Sequence, residues 1–483
     1  MRYALRKLFL VLTASALVLG ACATESQEDF GAPTSGGADP TLEDQIPDPI
    51  APDTGLGAGE APTSDQVVEA ALRDVEDFWR RSFPLVYGRP YDPIGGGFWP
   101  YGPDTTLPPC GDPPPTYEDI ADNAFYCPTA DLIAWDDVTL VPSLYEQFGG
   151  FTLGIVFAHE FGHAIQTREG TQGPTILLEL QADCFAGAWT ADVAAGNSTF
   201  FTVGITDLDK AIAGFLELRD GVGTDAGDPA AHGTGFDRIG SFVEGYEQGL
   251  ERCAEYPDLL QSGDLVITEV PFTDQADFET GGNLPLADLT PLLLTDLENF
   301  WTEAFSAQRK TWTPVAEVVA VDPSVDTVRC GRDTFRGGVL ANASFYCIDS
   351  NTIYIDGVHL IPDLNEIGDY AVATEIARQY AYAAQVQLGD LDTSLASNLE
   401  ADCFAGVYAA SGFTGERRGR GQELFLSPGD LDEAVIAFLR TSDPSNDPDS
   451  DEVSVGTAFQ RFGAYRAGFV TGFDACATIA GDG

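Results

Sequence analysis

The residues with the clearest chemical potential form one short run, His159-Glu160-Phe161-Gly162-His163. Residues four apart share a face of an α-helix, so both imidazoles can reach one metal ion. Glu160 stands beside them, placed to take a proton from a metal-bound water. A zinc ion with an open coordination position brings the pKa of such a water towards neutrality. The chain has only four histidines, and two of them at this spacing around a glutamate point to a metal site rather than to an ordinary helix surface. Zinc needs a third protein ligand. Glu179 and Asp183 follow on the next predicted helix, again one turn apart. In one assignment Glu179 is the ligand and Asp183 bonds to a ligand histidine from behind. In the other Asp183 is the ligand and Glu179 a surface residue.

The chain repeats itself. Asp74-Val-Glu-Asp-Phe78-Trp79 returns as Asp296-Leu-Glu-Asn-Phe300-Trp301, and Asn123-Ala-Phe-Tyr126-Cys127 as Asn342-Ala-Ser-Phe-Tyr346-Cys347. Ala182-Asp183-Cys184-Phe185-Ala186-Gly187 returns as Ala401-Asp402-Cys403-Phe404-Ala405-Gly406. Asp207-Leu-Asp-Lys210 matches Asp430-Leu-Asp-Glu433, and Gly233 to Cys253 aligns with Gly456 to Cys476. Landmarks in one order describe a tandem duplication. The second copy helps to assign ligands. It keeps Asp402 but carries Asn398 at Glu179, so the position that varies with the histidines, Glu179, is the ligand. Thr374 is read opposite His159, Arg378 opposite His163 and Glu375 opposite Glu160. The other histidine of the first copy, His232, faces Val455; it is a candidate for bonding an oxyanion over the site, with loop packing as the alternative. Arg238 persists as Arg461, which favours a structural ion pair. His359 stands alone and reads as a surface or loop residue.

The elements that must position these groups are mostly helical, in an α+β fold. Helices are expected near 66–83, 145–168, 175–194, 207–219 and 236–253, with Val68, Leu72, Val75 and Phe78 at helical spacing. Cys110 to Asp137 reads as extended segments and turns, and Leu265 to Val270 as strand-like. The aromatic pairs Phe78-Trp79 and Phe300-Trp301 belong to the core. Four cysteines fall at corresponding places in each copy, which in an exported protein reads as disulfides. Sequence leaves three pairings per copy open; the expected ones are Cys110–Cys127, Cys184–Cys253, Cys330–Cys347 and Cys403–Cys476.

Composition sets the surroundings. Acidic residues outnumber basic ones 76 to 24, for a formal charge of -52. Such a surface repels nucleic acid and anionic lipid. Arg2, Arg6 and Lys7 precede an apolar stretch, Leu8 to Leu19, that is too short for a comfortable membrane span. It ends in Leu19-Gly20-Ala21-Cys22, which resembles a bacterial lipobox with Cys22 as the lipidated residue. The expected organisation is a lipoprotein signal over 1–21 and a flexible tether over 22–64, followed by a metal-site domain over 65–256. A linker over 257–287 and a degenerate repeat over 288–483 complete it. The expected location is the outer face of the cell membrane, held by lipid on Cys22.

Taken together, His159-Glu160-x-Gly162-His163-x-x-Gln166, Glu179-Leu-Gln-Ala-Asp183-Cys184-x-Ala-Gly187-x-Trp189, His232-Gly233-Thr234 and the Asn123 to Pro128 segment resemble a bacterial family of neutral zinc metallopeptidases. That family lies within the zincins that use His, His and Glu. The resemblance spans most of 66–253. It implies a zincin-like domain with zinc at His159, His163 and Glu179, Glu160 as general base, and a peptide or protein substrate. The second copy matches the framework and departs at the metal positions, so it is expected to be inactive. A non-enzymatic envelope lipoprotein that binds a protein or cell-wall partner is the competing reading, and a hydrolase of some other bond would use the same residues.

Overall fold

Thr63 and Gln66 bond each other's backbone and so open the first helix, α1 (Ser64–Tyr87). Its buried face carries Val68, Leu72, Val75, Phe78 and Trp79, which places that aromatic pair in the core. The computed structural model describes residues 62–224, 232–268, 270–272, 275–389, 391–392, 394–414, 424–442 and 455–481. Cys22, the expected signal and nearly all of the expected tether lie outside the described residues. Among the described residues no helix is long and apolar enough to cross a membrane.

After α1 come β1 (Gly97–Tyr101), the short α2 (Tyr117–Ile120), β2 (Ala124–Cys127) and β3 (Leu132–Asp136). The sheet has order β1-β3-β2, with β1 parallel and β2 antiparallel to β3. Helices α3 (Leu140–Phe148), α4 (Gly150–Glu169), α5 (Thr175–Ala194), α6 (Ile205–Glu217), α7 (Gly235–Ala254) and α8 (Tyr256–Ser262) follow. The helix expected over 145–168 is thus two. Gly149, at φ 86°, breaks it and lets α4 set off in a new direction. Helix α4 is buried nearly all round, as a central helix must be. Helices α5 and α7 approach so closely that a Cβ on Gly187 would meet the Phe242 carbonyl oxygen at 1.9 Å, and Gly406 meets Tyr465 in the same way. The stretch Leu265–Val270 forms no strand among its described residues; Thr268 instead donates its N–H and hydroxyl to Asp237, each at 2.8 Å.

Helix α9 (Gln275–Thr280) leads into the second repeat. There α10 (Leu286–Ala307), β4 (Glu317–Val321), β5 (Thr327–Cys330), β6 (Asp333–Arg336), β7 (Ser344–Cys347) and β8 (Thr352–Asp356) come first. The sheet β4-β8-β7 repeats the directions of the first. A 3-10 turn at Gly337–Val339 stands where the first repeat has α2, and the β5–β6 hairpin precedes it where the first repeat has a loop. Helices α11 (Leu360–Ile367), α12 (Asp369–Leu388), α13 (Leu395–Phe413), α14 (Asp430–Thr441), α15 (Ala458–Thr471) and α16 (Phe473–Gly481) complete it. All four expected disulfides are formed. The longer bridges each close about 70 residues, which in the chain-entropy picture stabilises by about 4 kcal/mol.

The two repeats pack as a pseudo-dimer through α6, α7, α14 and α15. Asp209 accepts from the backbone N–H groups of Ala458 and Phe459, at 3.2 and 2.8 Å, at the start of α15. Its counterpart Asp432 accepts from Gly235 and Phe236 at the start of α7, at the same two distances. Each repeat therefore caps a helix of the other. Phe236 lies against Phe462, Tyr465 and Phe469 across this contact.

The helix ends correct the pairing of the two metal-motif helices. Gly149 and Gly368 precede α4 and α12, and Gly170 and Gly389 end them. Gln166 and Gln385 each donate from Nε2 to a carbonyl of the following helix, Leu178 and Ser397. On this register Arg378 stands for His159, Gln379 for Glu160 and Tyr382 for His163. Thr374 and Glu375 sit one turn earlier, opposite Ile155 and Val156. The expectation that a glutamate survives opposite Glu160 is therefore wrong, because that position is a glutamine.

Candidate metal centre

Three side chains converge where α4 meets α5. His159 Nε2 lies 3.0 Å from His163 Nε2 and 3.2 Å from Glu179 Oε2, and His163 Nε2 lies 3.5 Å from Glu179 Oε1. His159 and Glu179 are buried, and His163 is half-buried. The far side of each ring is occupied. His159 Nδ1 is 2.6 Å from Asp183 Oδ1, and His163 Nδ1 is 2.9 Å from Gln166 Oε1. Because the Gln166 amide nitrogen already donates to Leu178 O, its oxygen must accept, so His163 carries its proton on Nδ1. Asp183 fixes the same tautomer on His159. Both Nε2 lone pairs then face each other beside a carboxylate. Three acceptors aimed at one point fit a cation, and two imidazoles with a carboxylate fit zinc.

The charges around the site agree. Burial alone would lower the pKa of His159, but Asp183 and Glu179 outweigh it and raise the imidazole to about 10. His163 is lowered, first by burial and then by the charge on His159. Burial works against the Glu179 charge, yet both histidines hold its carboxyl well below the usual range. The same carboxylates that raise His159 would favour a cation bound between the two rings. Asp183 is buried and held ionised by Arg238, whose Nε and a terminal nitrogen lie 2.9 and 3.0 Å from its oxygens.

Glu160 is buried beside the cluster but points elsewhere. Its Oε2 accepts from the N–H of Tyr126 on β2 at 2.8 Å. Burial raises its carboxyl to about 8, against the lowering pull of His159. The four groups line one cavity of about 600 Å³, with Ala124 to Tyr126 of the edge strand on one wall and Phe215, Leu218 and Arg219 near the end of α6 on another.

His232 also lines this cavity, with a half-exposed side chain whose Nδ1 lies 3.1 Å from Asp220 Oδ1. Asp220 further accepts from the backbone N–H of His232 and Gly233, so it fixes the loop that carries the ring. Two features were not legible in the sequence. The Tyr126 N–H that orients Glu160 is a backbone group and leaves no residue signal. Arg219 shapes the cavity wall and pairs with Asp432 of the other repeat at 3.1 Å, a contact that only the pseudo-dimer creates.

The second repeat keeps the frame and fills it differently. Arg378 Nε binds Asp402 at 2.8 Å in place of His159, and Tyr382 donates to Asn398 at 2.6 Å in place of the His163–Glu179 approach. Arg461 pairs with Asp402 as Arg238 does with Asp183. His359 caps α11 beside Asp356, away from any such cluster.

Residues 51–256 and 271–479 each match the family described as "Putative neutral zinc metallopeptidase". The chain belongs to that family. Both repeats of this zinc-metallopeptidase family member therefore derive from one domain. It is similar to the uncharacterized protein Rv2575 of Mycobacterium tuberculosis, 31% identical over 152 residues that cover 26% of this chain and 52% of the relative. It is also similar to the uncharacterized protein YpfJ of Escherichia coli K12, 29% identical over 150 residues covering 26% and 50%. The chain thus spans about half the length of these curated relatives. No solved structure gives a significant match.

Proposed function

We propose that the first repeat is a zincin-like peptidase that hydrolyses peptide bonds outside the cytoplasm, and that the second repeat does no chemistry. The observation that carries this reading is the meeting of three metal-seeking groups and a separate buried carboxylate in one cavity. A purely structural site gains nothing from such a base. His159, His163 and Glu179 would hold zinc, which supplies a Lewis acid able to acidify water and polarise a carbonyl. The chain's own part is positioning and proton transfer. Tyr126 holds Glu160 by one oxygen, leaving Oε1 to take the proton of an attacking water and return it to the departing amine. Its raised carboxyl, which a bound dication would draw down, would suit a base working near neutral pH. His232, which lines the same cavity, would donate to the substrate carbonyl oxygen. Arg378, Gln379, Tyr382 and Asn398 leave the second repeat with neither ligand set nor base.

The charged and apolar start ending at Cys22, together with the four disulfides, supports an anchored position on the oxidising side of the membrane. The decisive variant is Glu160→Gln. Peptidase activity is expected to fall by about 10²–10⁴-fold with zinc still bound. Activity that survives the change would remove Glu160 as base, and a cellular role that survives it would favour a binding lipoprotein.

A further inference from the structure

A second group of metal-ligating side chains lies in the second repeat, away from the cavity just described. Helix α12 opens at Asp369 and α14 at Asp430, and Glu433 lies one turn into α14. One oxygen from each of the three carboxyl groups lies within 4.8 Å of the others. All are buried, at 5%, 3% and 7% exposure. Each spends one oxygen on the backbone. Asp369 Oδ2 accepts from Leu284 at 2.9 Å, Asp430 Oδ2 from Ser427 at 2.7 Å, and Glu433 Oε2 from Tyr370 at 2.8 Å. The other oxygen of each aspartate is buried with no hydrogen-bond partner. No Lys or Arg among the described residues pairs with any of the three.

The first repeat treats the same place differently. Gly150 stands for Asp369, Asp207 for Asp430 and Lys210 for Glu433. The Lys210 ammonium lies 3.7 Å from Asp207 Oδ1, so this repeat carries its own cation there. The second repeat has replaced that lysine and the glycine with carboxylates. Helix N-termini favour one acidic group each, but that does not account for three together with buried oxygens left bare. Burial raises all three carboxyls, and the mutual repulsion of Asp430 and Glu433 with Asp369 adds to it.

We propose that Asp369, Asp430 and Glu433 form a second metal site, for a hard divalent cation of the calcium type, which locks α12 and α14 to the connecting segment at Asn283 and Leu284. The donor set is all oxygen, with no imidazole or thiolate to favour zinc. Buried carboxylates suit calcium, which sheds its water readily, better than magnesium, which keeps several waters. Asn283 already joins the segment to α12 by accepting from Asp369 N at 2.6 Å.

The test uses the full chain, zinc-loaded and exchanged into calcium-free buffer, then titrated with calcium chloride. Calorimetry is expected to show one calcium bound per chain, and Tm is expected to rise with calcium concentration. Glu433→Lys, which restores the first repeat's ammonium, is expected to abolish both responses. His159→Ala, which removes a zinc ligand in the other repeat, is expected to keep them. Wild-type protein that neither binds calcium nor shifts its Tm would overturn the site, and that measurement stands whether or not the lysine variant folds. Calcium binding unchanged in Glu433→Lys, or magnesium bound more tightly than calcium, would overturn the assignment as well.

Discussion

Asp183 and Asp402 occupy the same place in the two repeats and both hold an arginine, Arg238 or Arg461. Only Asp183 also holds a histidine. Asp183→Asn should therefore weaken zinc about 10–100-fold, measured against a competing chelator, because the His159 ring loses its orienting partner. It should also lower stability by about 3–5 kcal/mol in denaturant unfolding, because the buried Arg238 charge is left short of a partner. Asp402→Asn should destabilise comparably and leave zinc affinity alone. Equal effects of both variants on zinc would refute the division of roles. At this scale the sequence was informative for a chemical reason: a metal dictates residue types and spacing, so His159, His163, Glu179 and Glu160 stand out. Backbone donors such as the Tyr126 N–H carry no such mark.

Elements were legible in their kind and less so in their register. A helix shifted by one turn presents nearly the same face, so buried positions along α12 do not distinguish Thr374 from Arg378 as the counterpart of His159. The ends do, and the glycines at 149, 170, 368 and 389 settle it. The same glycine logic divides 145–168 into two helices. Leu265 to Val270 has the residues of a strand, but its Thr268 N–H is taken by Asp237, and side-chain capture of that kind cannot be read from alternation. The reciprocal caps give this scale its prediction. Asp209→Ala and Asp432→Ala should each cost about 1–2 kcal/mol in chemical denaturation. The Asp432 change should cost more, because it also strips Arg219 of its partner. Unchanged unfolding midpoints would show that the caps do not hold the repeats together.

At the scale of the whole chain, duplication was plain in the sequence because paired motifs survive in order, while the way the halves meet was not. The contact is built from Phe236, Phe462, Asp209 and Asp432, ordinary core and capping residues when viewed one repeat at a time. The result is a pseudo-dimer in which one half carries the candidate metal ligands and base and the other has an arginine, a glutamine, a tyrosine and an asparagine in their places, while its Asp432 pairs with Arg219 on the cavity wall. That asymmetry is the central claim, and the zinc content of purified protein, beside a His159→Ala control, tests it most directly. One zinc per chain, lost in the control, is the predicted result. No zinc in protein prepared without chelator, or zinc retained after His159→Ala, would contradict it.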